Sequence, residues 1–150
     1  MFRIPDCMDE LEPHTREMIL QYGRMYEDIE WTCITRSEDI QSPAWDPVID
    51  GGLFAAGVAA SEAAEWLAFA AYDLRKTSHK ELREIDADPT LRMLLRDRRS
   101  RAIAKLECAY AIIGKQYVEL ARLGTLNPKH ELTGPSAKNI QDLIDLSKSK

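Results

Sequence analysis

The sequence predicts an all-α fold, an elongated bundle of three long helices followed by a short C-terminal docking helix. Hydrophobic residues recur at alternating steps of three and four through three long segments, which is the period of an α-helix with one buried face. The 150 residues include only seven glycines and seven prolines, which leaves room for few turns. A hydrophobic content of 45% with 30% charged residues fits one soluble domain with a core.

The first predicted helix covers residues 12–40, with Pro13 in its first turn. Its apolar residues form the wide face that a core-facing bundle helix requires. They are Leu11, Met18, Ile19, Tyr22, Met25, Tyr26, Ile29, Cys33 and Ile40. Residues 42–52 are expected to form a connection, because two prolines and two glycines interrupt the pattern there. Trp45 in this connection either packs on the core or anchors a partner, and we name it as a candidate partner-binding residue.

The second predicted helix covers residues 53–84 and contains a heptad pattern made mostly of alanine, which allows another helix to approach closely. The members are Leu53, Ala56, Ala60, Ala63, Leu67, Ala70 and Leu74. Trp66, Phe69 and Tyr72 supply bulk on its flanks. Residues 51–72 have the length of a membrane span, but Glu62 and Glu65 lie mid-segment, where a carboxylate costs several kcal/mol in lipid. We therefore expect no membrane contact.

The third predicted helix covers residues 89–123. Asp88 suits the N-cap, Pro89 the first helical position and Gly124 the residue after the end. Its apolar face is predicted from Ile103, Leu106, Tyr110, Ile113, Tyr117 and Leu120. A helix of this length spans about 50 Å, which is longer than a compact domain of this size needs. The excess length favours a rod-like bundle or an assembly in which neighbours cover it.

Residues 1–124 are thus interpreted as the helical bundle domain, and residues 125–150 as a linker with a docking helix at about 137–146. The docking helix has Ile140, Leu143 and Ile144 on its apolar face. A helix of this length is not stable alone in water. We therefore expect these three residues to bind a surface, and we name them as candidate partner-binding residues.

Charge is distributed unevenly along the chain. The formal net charge is −5, but residues 1–50 carry −8, residues 51–89 carry −3 and residues 90–150 carry +6. Acidic and basic regions attract each other either within one molecule or between copies. The three cysteines leave one unpaired in any disulfide framework, and the N-terminus has no apolar run of a signal peptide. We expect a cytoplasmic location or one within an assembled particle, and not secretion.

The densest basic cluster lies in the first half of the third helix. Its candidate partner-binding residues are Arg92, Arg96, Arg98, Arg99 and Arg101, with Leu91, Leu94, Leu95 and Ala102 expected to face the core. Three interpretations stay open: contact with an acidic protein surface, a solvated helix face, or contact with nucleic-acid phosphates. The acidic net charge and the lack of aromatic residues among these arginines favour a protein partner.

Metal chemistry has one candidate motif. Glu62-Ala63-Ala64-Glu65 resembles the Glu-x-x-Glu pair of all-α nucleoside triphosphate pyrophosphohydrolases of the MazG type, which implies a magnesium-dependent hydrolase using these two carboxylates. That family also has a later Glu-x-x-Asp. Here Glu81 is followed three positions later by Glu84, so the second half differs. None of the three histidines has a glutamate three positions earlier, and no Cys-x-x-Cys occurs.

The sequence therefore favours a non-enzymatic structural or adaptor protein without a cofactor, which self-assembles or docks on a larger protein complex. Small helical connector subunits of phage particles have this general architecture, and that analogy extends to a virion component. A helical inhibitor or regulatory module with an acidic partner-binding face is the first alternative. The magnesium-dependent hydrolase is the second, and a nucleic-acid binder the third.

Overall fold

The computed structural model describes residues 11–38, 47–77, 88–129 and 137–148, and within these ranges it has four helices and no strand. We number the helices α1 (Pro13–Glu38), α2 (Pro47–Lys76), α3 (Pro89–Arg122) and α4 (Ala137–Lys148). Three long helices pack together with one short helix against them, which confirms the predicted all-α bundle.

The helices alternate in direction. Tyr22 of α1 stacks on Tyr110 of α3 with ring centroids 4.5 Å apart, and Asp28, further along α1, meets Tyr117, further along α3. These two pairs make α1 and α3 parallel. Arg98 near the start of α3 contacts Asp73 near the end of α2, so α2 runs antiparallel to α3. α4 then packs against α3.

The core follows the predicted pattern most closely on α2. All seven predicted members are buried there: Leu53, Ala56, Ala60, Ala63, Leu67, Ala70 and Leu74. On α3, Leu106, Ile113, Tyr117 and Leu120 are buried and Tyr110 is half-buried. Ile103 was predicted to face the core and is exposed, because the smaller Ala102 occupies that position where α2 approaches. Alanine permits the closer helix packing.

The boundaries of α3 were also predicted from local signals. The Asp88 carboxylate accepts hydrogen bonds from the backbone N–H groups of Thr90 and Leu91, at 3.0 and 3.2 Å, and Pro89 is the first helical residue. At the other end, Gly124 has a φ of +73°, a conformation that favours glycine.

Both boundaries of α2 differ from the prediction. The helix starts at Pro47, so residues 47–52 are helical and not a connection. Proline is well suited to the first helical position, and Gly51 and Gly52 are tolerated close to this end. At the other end the helix reaches Lys76 and Thr77 is a turn residue, whereas residues 78–84 of the predicted helix lie outside the described residues. The carbonyl of Thr77 accepts a hydrogen bond from Arg99 of α3 at 3.4 Å.

Candidate interaction surfaces

A buried carboxylate joins α1 to the C-terminal part of the chain. Asp28 is fully buried, and its Oδ2 accepts a hydrogen bond from the Tyr117 hydroxyl at 3.1 Å. Its Oδ1 accepts one from the backbone N–H of Lys129 at 2.7 Å. One turn along α1, the Thr32 hydroxyl accepts a hydrogen bond from the backbone N–H of Asn127 at 2.9 Å. These contacts hold the segment after α3 against α1, so Asp28 belongs to the fold and not to an acidic partner-binding face.

Three tyrosines on α1 and α3 are neutral packing groups. Burial, with the hydrogen bond to Glu30, raises the pKa of Tyr26 to about 12. Burial also raises the pKa of Tyr110, and burial with the nearby Asp28 raises the pKa of Tyr117. Their phenols are more costly to ionise here than in water, so all three are neutral at neutral pH, and the hydroxyls of Tyr26 and Tyr117 donate hydrogen bonds to Glu30 and Asp28.

Some arginines of the predicted basic cluster contact α2, and others are exposed on the surface. Arg98 binds Asp73 of α2 through two hydrogen bonds of 3.0 and 2.5 Å, and Arg99 donates to the end of α2 as described. Arg101 pairs with Asp97 on its own helix at 2.8 Å, and both side chains are largely exposed. Arg96 is exposed and Arg92 is half-buried. The cluster therefore provides both an α2–α3 contact and a cationic surface.

Beside these arginines lies a surface depression of about 420 Å³, which we call the α3 groove. Its lining residues are Asp73, Leu94, Leu95, Arg98, Arg101, Ala102 and Lys105. Leu91 and Leu94 were predicted to face the core, but both are exposed, Leu94 by 57%. They precede the residues of α3 that contact the end of α2, so the described part of α2 does not cover them. The groove combines exposed leucine with cationic groups at its edge.

A row of exposed apolar side chains lies on α2, on the side opposite its alanine pattern. Phe54, Val58, Phe69 and Tyr72 are all exposed, Phe54 by 73% and Phe69 by 64%. Their spacings place them on one side of the helix, since residues three, four or seven apart share a face. Trp66 is exposed beside them. We call Phe54, Val58, Glu62, Glu65, Phe69 and Tyr72 the α2 outer face.

Trp66, Phe69 and Tyr72 were predicted only to supply bulk beside the alanine pattern. Phe54 and Val58 were not predicted to belong to an exposed surface. The sequence signal for it is a second row of apolar residues at helical spacing, on the side opposite the alanines. By length and composition, Gly51–Lys76 also passes as a membrane span, with a mean hydropathy of 1.3. Core helices of soluble proteins pass the same test, and the alanine side of α2 is in the core.

Glu62 and Glu65 are exposed on the α2 outer face. Within the described ranges, no group of three or more Asp, Glu, His or Cys side chains comes together in a way that could hold a metal ion. Glu81 and Glu84 lie outside these ranges. Glu62 and Glu65 are thus two carboxylates on a helix face that also exposes Val58 and Phe69.

A second depression, of about 290 Å³, lies between α1 and α2 near Tyr26, Cys33, Gly57 and Ser61. The Cys33 thiol lies 3.6 Å from the carbonyl oxygen of Leu53, and burial together with Glu30 raises its pKa. A raised pKa disfavours the reactive thiolate. Cys33 is therefore a packing group at a close helix contact.

No protein-family model matches the sequence, and neither the curated proteins nor the solved structures contain a significant match. The function of the chain is therefore inferred from its own surfaces.

The remaining predicted partner-binding residues have three different placements. Ile140 and Ile144 are buried in the common core, so α4 docks on its own chain and these two side chains are not exposed to a partner. Leu143 lies within α4, but its side chain is outside the described part of the structure. Trp45 lies outside the described residues.

Proposed function

We propose that this chain is a non-enzymatic assembly or adaptor protein, which binds copies of itself or docks as a subunit in a larger protein complex. The observation that supports this proposal is the α2 outer face. Contiguous exposed apolar surface on a soluble protein marks an interaction site, whereas single exposed residues are ordinary. The α2 outer face has more than single exposed residues, because Phe54 with Val58 and Phe69 with Tyr72 form two apolar pairs on one side of the helix, with Glu62 and Glu65 between them.

Burial of exposed apolar side chains would supply the free energy of binding. Removing a large apolar side chain from water stabilises a complex by about 1.5–3 kcal/mol when the side chain becomes fully buried. Phe54 and Phe69 are each more than half exposed. Both therefore have most of this contribution available to a partner. Aromatic residues are also enriched among the residues that dominate interface energies.

A regulatory binding module is the second candidate function, and Glu62 and Glu65 favour it. They add negative charge to the α2 outer face, so a partner other than the chain itself would be basic and apolar there. Both candidates use the same surface. They differ in whether the partner is a copy of this chain.

The test measures the mass of the protein in solution by size-exclusion chromatography with light scattering, over a roughly 100-fold range of concentration. Self-assembly predicts a mass above the 17.1 kDa of one chain that rises with concentration. A wild-type protein that stays at 17.1 kDa throughout, with no stable partner in affinity purification from its source cells, would overturn the proposal.

A further inference from the structure

We propose that the α2 outer face of one copy docks into the α3 groove of a second copy. This inference rests on the proposed function and specifies its partner and its two surfaces. Each surface has a composition that suits the other.

The α2 outer face carries two carboxylates, Glu62 and Glu65, in a row of apolar side chains. Glu65 is four positions before Phe69, so the two side chains are neighbours on the helix. Glu62 has the same spacing to Val58. A surface that receives this face must offer apolar contact and cations at similar spacing.

The α3 groove has that composition. Leu94 and the half-buried Leu95 provide apolar contact, and Arg101 and Lys105 place cations at its edge. Within the described residues Arg101 pairs with Asp97 of its own helix, and its side chain is 71% exposed, so a carboxylate of a second copy can reach its guanidinium. Met93 is 65% exposed one residue before Leu94 and extends the apolar surface of the same helix.

Charge along the chain supports the same pairing. Residues 51–89, which contain most of α2, carry a net charge of −3, whereas residues 90–150, which contain all of α3 except Pro89, carry +6. Opposite charges attract the α2 outer face to the α3 groove, whereas like charges repel two copies of the same surface. α2-to-α2 contact would bring four carboxylates together, and groove-to-groove contact would bring its cations together. The charges therefore favour contact between unlike surfaces.

Because the proposed interface joins two different surfaces, it can be tested by complementation between two variants. The first variant, Phe54→Lys with Phe69→Lys, disables the α2 outer face. The second variant, Leu94→Glu with Arg101→Glu, disables the α3 groove. A mixture of the two still contains one intact outer face and one intact groove. The matched controls are Lys115→Glu on α3 and Leu123→Lys just after its end, which make the same kinds of change at exposed positions.

Circular dichroism and thermal unfolding verify that each variant folds, since exposed substitutions usually change stability by only about 0.5 kcal/mol. We expect each interface variant alone to associate at least about 100-fold more weakly than the wild type and to approach 17.1 kDa, because each loses two interface residues. An equimolar mixture is expected to form a heterodimer of twice that mass. Both controls should assemble like the wild type, and added salt should weaken all of these complexes.

Three outcomes would overturn the inference. If the wild type assembles and the interface variants assemble equally well, the surfaces are wrong and the proposed function stands. If the variants are monomeric but their mixture stays monomeric, the two surfaces do not pair with each other. If the wild type is monomeric and instead sediments with phosphatidylcholine–phosphatidylglycerol vesicles through Phe54 and Phe69, the α2 outer face binds membranes, and the self-assembly proposal falls with the inference.

Discussion

The carboxylate of Asp28 accepts a hydrogen bond from the hydroxyl of Tyr117, which lies 89 positions later in the chain, at 3.1 Å. Both residues are buried. The same carboxylate also holds the backbone N–H of Lys129 at 2.7 Å. One acidic side chain thus connects α1 both to α3 and to the segment that follows α3.

Substitutions at this contact are expected to destabilise the fold. Tyr117→Phe should lower the free energy of unfolding by about 1–2 kcal/mol, because the buried carboxylate loses one donor. Asp28→Ala should cost more, about 2–4 kcal/mol, because it leaves the Tyr117 hydroxyl and the Lys129 N–H without their acceptor. Urea unfolding followed by circular dichroism measures both, and the double variant gives the coupling between them. An Asp28→Ala protein as stable as the wild type would contradict the structural role.

High pH is expected to unfold the protein through its buried tyrosines. The pKa of Tyr26 is about 12 in the folded chain, against an ordinary value of 10.0 that the unfolded chain retains. The unfolded chain therefore loses this proton at lower pH. The stability associated with the protonated phenol is fully present below pH 10.0 and is lost as pH rises through about 12. The raised pKa values of Tyr110 and Tyr117 act in the same direction.

The measurement follows tyrosinate absorbance and helical circular dichroism during one alkaline titration. Loss of helicity should accompany the ionisation of the buried tyrosines. Tyr26→Phe should reduce the dependence of stability on pH, whereas Tyr72→Phe, at an exposed position, serves as the control. Ionisation of all five tyrosines near pH 10 with helicity unchanged would disprove the burial argument.

The contact between α1 and α2 requires a glycine at position 57. A Cβ atom added there would lie 2.8 Å from the Cys33 Sγ, which is too close. Gly57→Ala should therefore destabilise the protein by about 1–3 kcal/mol. In a Cys33→Ala background the same change should become neutral or stabilise by up to about 1 kcal/mol, because alanine is the better helix former.

Gly52→Ala is the matched control for that pair, because nothing lies within 4 Å of the added Cβ. It should stabilise the protein by about 0.5–1 kcal/mol in either background. Thermal unfolding of the set measures all three effects. The same loss of stability from Gly57→Ala with and without Cys33 would show that the close approach is not to this thiol.

The docking of α4 is expected to depend on its two buried isoleucines. Ile140→Ala and Ile144→Ala should each lower the free energy of unfolding by about 2–4 kcal/mol, since each removes a core side chain. Lys138→Ala, at an exposed position on the same helix, should change it by no more than about 0.5 kcal/mol. Chemical denaturation provides the comparison. If α4 instead binds a separate partner, the isoleucine variants would match the Lys138 variant.

Sequence patterns were reliable where the determining interactions are local. The Asp88-Pro89 start and the Gly124 end of α3 depend on backbone geometry within a few residues. The seven buried positions of α2 follow from the helical period, which any single partner on one side satisfies. Arg98, by contrast, was assigned to a partner-binding cluster, but its contact is with Asp73, 25 positions earlier. No local pattern indicates such a pairing.

The sequence by itself determined that this protein is a bundle of long helices, because amphipathic periodicity and end signals are encoded within each segment. Only the tertiary structure decided which apolar faces stay exposed. Ile144 became core because α3 lies against it, and Phe54 stays exposed at the depression between α1 and α2, because α1 does not cover it there. Burial depends on what packs against a residue from elsewhere in the chain, and the residue's own neighbours in sequence do not specify it.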